Sequence, residues 1–297
     1  MKRLSKLFNK EKTYSKKQLT KNDIYTGSIK DDNDIVVLIP GLGRDSESLK
    51  LLAQALTDQH GYCCYVMDHP NLKQSIEESA DFIQQKMDLY GIEKHKGKVH
   101  FVCASRGGLV ARKLLAKHTP QNMGKTVFLG TPHHGSELSN HFLSKNIIGF
   151  LTRLTNGPSV AQMRVGKKGV EKTFQPNELD EKLDWGMIAG VVDENDRDHR
   201  ESPLHPLASP IPYPHDGVVS LPSTKVKGLK DHVTLTGTSH TELEVDRDTV
   251  KLCDEFFKNG RFISRPKEGR KKNLMPRKDR ANPFYFKLIG IFYRPKV

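Results

Sequence analysis

The chain has 297 residues, 36% of them hydrophobic and 28% charged, with a formal net charge of +13; that is room for one large α/β domain or two small ones. The basic excess sits at the two ends, +7 over residues 1–30 and +11 over residues 258–297, so the middle carries −5 and is excluded by charge as a nucleic-acid binder. No apolar run approaches the roughly 20 residues of a spanning helix, and the charged N-terminus lacks an apolar stretch of signal-peptide length.

These features predict a basic N-terminal arm over 1–30, a folded domain over 31–257 and a basic, aromatic tail over 258–297. Four cysteines stand at Cys63, Cys64, Cys103 and Cys253. Three lie inside apolar runs, which is not the spacing of a secreted disulfide scaffold, so reduced thiols in a cytoplasmic protein are expected.

Short apolar runs at 35–39, 62–67, 99–103, 126–129, 187–192 and 233–236 are each followed by turn-forming residues. They read as buried strands of a parallel sheet. Helical spacing over 48–59, 74–90 and 109–118 alternates with them, which predicts an α/β fold with helices on both faces of the sheet. The alternation breaks over about 137–183. There an apolar stripe of Phe142, Leu143, Ile147, Ile148, Phe150, Leu151 and Leu154 reads either as a lid over an acyl chain or as a helix packed on the sheet. Residues 193–215, rich in Asp, Pro and His, read as a long loop on the face where the strands end.

In VHFVCASRGGLVARKLL a strand runs into Ser105 and a helix follows at once, the setting of a nucleophile elbow or of a simple helix N-cap. Small residues are required two before and two after the serine. Here they are Cys103 and Gly107, a departure from a glycine at both places. Upstream, IVVLIPGLGRDSESL ends a strand in a Gly-containing loop. Either it is a plain βα turn, or the Leu42 N–H there and the Arg106 N–H beside the serine form an oxyanion hole. Downstream, VTLTGTSHTEL leaves the last apolar run and presents His240 before a helix, where a general base belongs. His133 and His134 are adjacent and lack a partner at metal-ligand spacing, so they read as structural or substrate-loop histidines.

Together PGLG, ASRGGLVAR, VFLGTPHHGS and HDGVVS resemble, in order, the motifs of bacterial lipases and inositol-deacylase-like α/β-hydrolases over roughly residues 34–245. The resemblance implies an α/β-hydrolase fold, ester hydrolysis without a metal or organic cofactor, and the order nucleophile, acid, histidine. On that order Asp216 of HDGVVS is the leading acid, with Asp193 and Asp196 as competitors, and Ser105, Asp216 and His240 form the triad. The implied substrate is a small-molecule or lipid ester. Acyltransfer, thioester or amide cleavage on the same residues, or a non-catalytic membrane-associated relative, remain open as alternatives. The basic ends suit peripheral contact with an anionic membrane at its inner face, or, for FYFKLIGIFY of the tail, docking on the protein body.

Overall fold

The computed structural model describes residues 13–28, 33–144, 158–193, 211–267, 269–270 and 272–276. Its centre is a seven-stranded sheet in the order β1-β3-β2-β4-β5-β6-β7. The strands are β1 (Ile24–Thr26), β2 (Ile35–Ile39), β3 (Cys63–Val66), β4 (Val99–Ala104), β5 (Met123–Leu129), β6 (Asp184–Val191) and β7 (Asp231–Thr236). All neighbours pair in parallel except β1, which runs antiparallel to β3.

Strands buried on both faces need apolar side chains at every position, and IVVLI of β2 is buried throughout. Alternate residues then feed two cores. Ile35, Val37 and Ile39 join the layer under α3 (Ile76–Tyr90) and α4 (Arg106–Lys117). Val36 and Leu38 join the layer under α2 (Lys50–His60) and the long C-terminal helix Arg247–Asn259. Cys63 and Cys64 divide in the same way, and all four cysteines are buried free thiols.

The sheet has a switch point between β2 and β4. The chain leaves β2 toward β3 on one side, and leaves β4 toward β5 on the other. The loops at the carboxyl ends of these two neighbouring strands therefore diverge, and such a crevice is where open α/β sheets bind ligands. Gly41 and Leu42 follow one strand and Ser105 follows the other.

Two boundaries differ from the sequence expectation. Residues 24–26, assigned to the N-terminal arm, form the edge strand β1 after a short helix α1 (Lys16–Leu19). They are held in place by Asp23, whose carboxylate pairs with the buried ammonium of Lys86 and accepts from Tyr90 Oη at 2.7 Å. Part of the C-terminal tail also belongs to the domain. Arg265 bonds Asp231, Arg270 bonds Asp246 and Asp248, and Lys272 bonds Glu242, while Arg247 N–H donates to Asn273 O and Met275 N–H to Val245 O. These tail cations are thus engaged by acids of the fold.

The break over 137–183 carries the helix α5 (Glu137–Ser144) and two single turns, Ser159–Gln162 and Val170–Thr173. Leu138 packs there with Ile211 and Val218. The side chains of Phe142 and Leu143, the remainder of the apolar stripe, Asp196, residues 1–12 and the aromatic end of the tail lie outside the described residues. Among the described residues, no helix is long and apolar enough to cross a membrane.

Candidate active site

Ser105 stands between the last residue of β4 and the first of α4 with φ 51° and ψ −122°. A non-glycine residue at positive φ is strained and persists only where its surroundings over-determine it. Here Ser105 N–H donates to Leu129 O at 2.8 Å and Gly108 N–H to Ser105 O at 3.0 Å. Gly107 is forced by contact: a Cβ there would collide with Ile39 O and lie 2.8 Å from Pro40 O. Two residues before the serine, Cys103 is fully buried in a core layer and accommodated without a glycine.

The first amides of a helix have no intrahelical acceptor and carry the positive end of its dipole. Arg106 N–H is such an amide, and neither it nor Leu42 N–H donates to another described residue. Gly41, just before Leu42, runs close against the serine, with a Cβ at that position 3.1 Å from Ser105 Cβ. The side chain of Arg106 turns away into the protein. It is fully buried, with Nη2 donating to Ser79 Oγ at 2.9 Å, Gln74 O at 2.9 Å and Ser75 O at 3.1 Å, and Nη1 to His69 Nε2 at 3.1 Å. Burial pushes this guanidinium down to about 9, and burial together with the Arg106 charge keeps His69 neutral, well below its ordinary value.

Asp216 and His240 are joined by a hydrogen bond of 2.6 Å from His240 Nδ1 to Asp216 Oδ2. The other carboxylate oxygen of Asp216 accepts from Val218 N–H at 2.9 Å and Val219 N–H at 2.7 Å. Those amides turn back onto it because Gly217 takes φ 93°, which a residue with a Cβ rarely adopts. The main chains lock too, with His240 N–H donating to Asp216 O at 2.8 Å, Thr238 N–H to Val191 O and Val192 N–H to His215 O. Burial works against charging His240. The charge and hydrogen bond of Asp216, aided by Glu244 and opposed by Arg44, outweigh it and set the imidazole above its ordinary value.

Leu129 and Gly130 link the two groups. Leu129 O takes the Ser105 amide, and a Cβ on Gly130 would lie 3.0 Å from both Asp216 Oδ2 and His240 Nδ1. Ser105 at the carboxyl end of β4 and the Asp216–His240 pair beyond β6 and β7 therefore flank the Leu129–Gly130 peptide at the end of β5, the strand between β4 and β6. Among the described residues the Ser105 hydroxyl and His240 do not hydrogen-bond each other; in free enzymes such contacts are often long and tighten on substrate binding.

Of the competing acids, Asp193 is exposed. His133 is buried, accepting at Nδ1 from Arg112 at 3.3 Å and packed edge-on against Phe128. His134 is exposed, with Nδ1 3.2 Å from Asn177 Nδ2. Both are bound into the loop that leads to α5. That loop also braces the acid loop, since Ser136 Oγ donates to Val218 O and Ser220 Oγ to Glu137 Oε1, each at 2.9 Å. Sequence reasoning missed these braces, the buried Arg106 side chain and the Arg44–Glu244 pair; only the positive-φ glycines had a local signal.

A seven-stranded, mostly parallel sheet covered on both faces, with a serine elbow after one central strand and a His–Asp pair beyond the later ones, is the α/β-hydrolase fold. The structure is similar to the mature form of Bacillus licheniformis lipase BlEst2, with a TM-score of 0.60 and 20% identity over 80% of this chain and 96% of that one. It is similar to the metagenomic carboxyl esterase MGS0156, with a TM-score of 0.54 and 14% identity over 72% of this chain and 66% of that one. For Aspergillus fumigatus lipase B the TM-score is 0.52 and the identity 13%, over 80% of this chain and 56% of that one. At such identities the likeness is one of fold. In sequence, residues 41–176 match a family described as a domain of unknown function (DUF7379), and no curated protein matches.

Proposed function

We propose that the protein is a serine hydrolase of carboxylic esters that works through an acyl-enzyme. Ser105 Oγ attacks the ester carbonyl as His240 Nε2 takes its proton, and the oxyanion that forms is met by the N–H groups of Leu42 and Arg106. His240 returns the proton to the leaving alcohol, then activates the water that releases the acid, while Asp216 holds the imidazole through Nδ1 and supports its charge. The observation that carries this reading is the strained Ser105 elbow beside an Asp216–His240 pair already hydrogen-bonded at 2.6 Å. No metal or organic cofactor takes part in these steps.

A lipid or other acyl ester is the substrate class we favour. In sequence the insertion carries an apolar stripe over residues 142–154, the composition that suits an acyl substrate, each CH₂ of which gains roughly 0.8 kcal/mol on leaving water. The names of the proteins sharing the fold, lipase and carboxyl esterase, point the same way. We further propose a cytoplasmic enzyme that touches the anionic inner membrane face peripherally. Arg265, Arg270 and Lys272 are engaged by acids of the fold, so the other basic residues of the two ends would make that contact.

The test is turnover of p-nitrophenyl esters of increasing acyl length by the purified protein and by Ser105→Ala, with and without vesicles of anionic lipid. The proposal expects turnover that falls at least about 10³-fold in the variant. Its absence on every ester from a folded protein would contradict the reading, and preferential cleavage of matched thioester or anilide substrates would move the chemistry to those classes.

A further inference from the structure

Glu244 follows His240 by four residues and is 4% exposed. It pairs with Arg44, whose guanidinium donates to Glu244 Oε2 at 2.9 Å across 200 residues of sequence. Arg44 stands two residues beyond Leu42, in the loop that supplies one of the two oxyanion amides. Asn71 grips the same loop, accepting from Gly43 N–H at 2.7 Å and donating to Arg44 O at 2.6 Å. The Leu42 loop is thus anchored to the His240 loop by one ion pair and to the loop after β3 by Asn71.

The charged groups facing His240 are Asp216, Glu244 and Arg44. Asp216 occupies Nδ1. Glu244 acts on the ring by charge, favouring the imidazolium, with Arg44 opposing it. A buried ion pair is poor value for stability alone, since apolar residues of the same volume often do as well or better. Burial raises the Glu244 carboxyl above its ordinary value, and the Arg44 cation, its hydrogen bond and His240 offset only part of that. We propose that Glu244 is a positioning residue of the esterase site: its charge supports the imidazolium formed when His240 accepts the Ser105 proton, and its bond to Arg44 fixes the Leu42 loop relative to His240. This inference rests on the ester-hydrolase reading.

The deciding variant is Glu244→Gln, which keeps the shape and an acceptor for Arg44 but removes the charge. Two readouts are needed, the pH profile of kcat/KM with kcat and KM resolved, and NMR titration of the His240 imidazole, assigned by its loss in His240→Ala. The expected result is a downward shift of roughly half a pH unit in both the acid limb and the imidazole titration. A kcat lowered about 3- to 10-fold with KM within about twofold accompanies it. Arg44→Lys, which keeps the pair, should leave the limb in place. A folded Glu244→Gln protein with an unmoved His240 titration overturns the proposal. If Glu244→Gln does not fold, Arg44→Gln is the second arm: kcat should fall while the His240 titration does not drop below that of the wild type, and an unchanged kcat or a dropped titration overturns the proposal. The NMR arm needs no turnover, so failure of the ester reading is separable from failure of this one.

Discussion

Ser105 and its neighbouring amides are placed by the backbone, through a positive φ, a serine amide bonded to Leu129 O and a glycine at 107 where a Cβ would press on two backbone carbonyls. His240 and Asp216 are placed by hydrogen bonds instead, two amides and one imidazole sharing a carboxylate that is 1% exposed. The first arrangement leaves N–H groups unspent at the mouth of a helix, which suits a site where negative charge develops only during reaction. The second spends its hydrogen bonds in advance to fix one tautomer and one ring orientation. The Ser105 half is accordingly vulnerable to added volume, and the Asp216–His240 half to changed polarity.

Asp216→Asn attacks the polar half while keeping its shape. It should cost on the order of 10³- to 10⁴-fold in kcat, because an amide in place of the carboxylate no longer holds the tautomer or supports the imidazolium; steady-state kinetics beside a circular-dichroism melt would check that the loss is not unfolding. Gly107→Ala attacks the backbone half by volume. The added Cβ meets the Ile39 and Pro40 carbonyls, so we expect about 1–3 kcal/mol lost in urea denaturation and roughly 10²-fold lost in kcat as the elbow shifts.

Gly130→Ala tests the junction of the halves. Its Cβ would press on Asp216 Oδ2 and His240 Nδ1 from a residue with φ 54°, costing on the order of 1 kcal/mol and about 3- to 10-fold in kcat. A loss far below that would mean the dyad tolerates displacement. The smallest effect is that of pH. In the proposed mechanism His240 must be neutral to accept the Ser105 proton, and its pKa lies above the ordinary 6.5. kcat/KM should therefore fall as the pH drops through a midpoint above 6.5, and in Asp216→Asn the residual activity should persist to lower pH.

The sheet was largely legible in the sequence because strands buried on both faces must be continuous apolar runs, and IVVLI, VHFVCA and WGMIAGV are such runs. The edge strand β1 was not, because three residues with one buried side chain leave no periodic signal. The acid loop HDGVVS was legible through its resemblance to the lipase motif, whereas the left-handed Gly217 that turns two amides onto the carboxylate shows only in the structure. Chain order pointed to Asp216 and could not exclude Asp193; only the fold brings a residue 24 positions before His240 against its Nδ1. Arg106 read as a helix-start amide, and nothing local told that its side chain is buried against the loop around residue 75. Arg44 and Glu244, at opposite ends of the domain in sequence, meet only because β2 lies at the centre of the sheet while the loop after β7 folds back over it.

The central claim is that Ser105 is a nucleophile activated by His240. Intact-mass and peptide analysis of the folded protein after treatment with a fluorophosphonate tests it most directly. One adduct on the peptide containing Ser105, lost in both Ser105→Ala and His240→Ala, is the predicted result; no adduct, or one on Ser105 that survives loss of His240 undiminished, would contradict it.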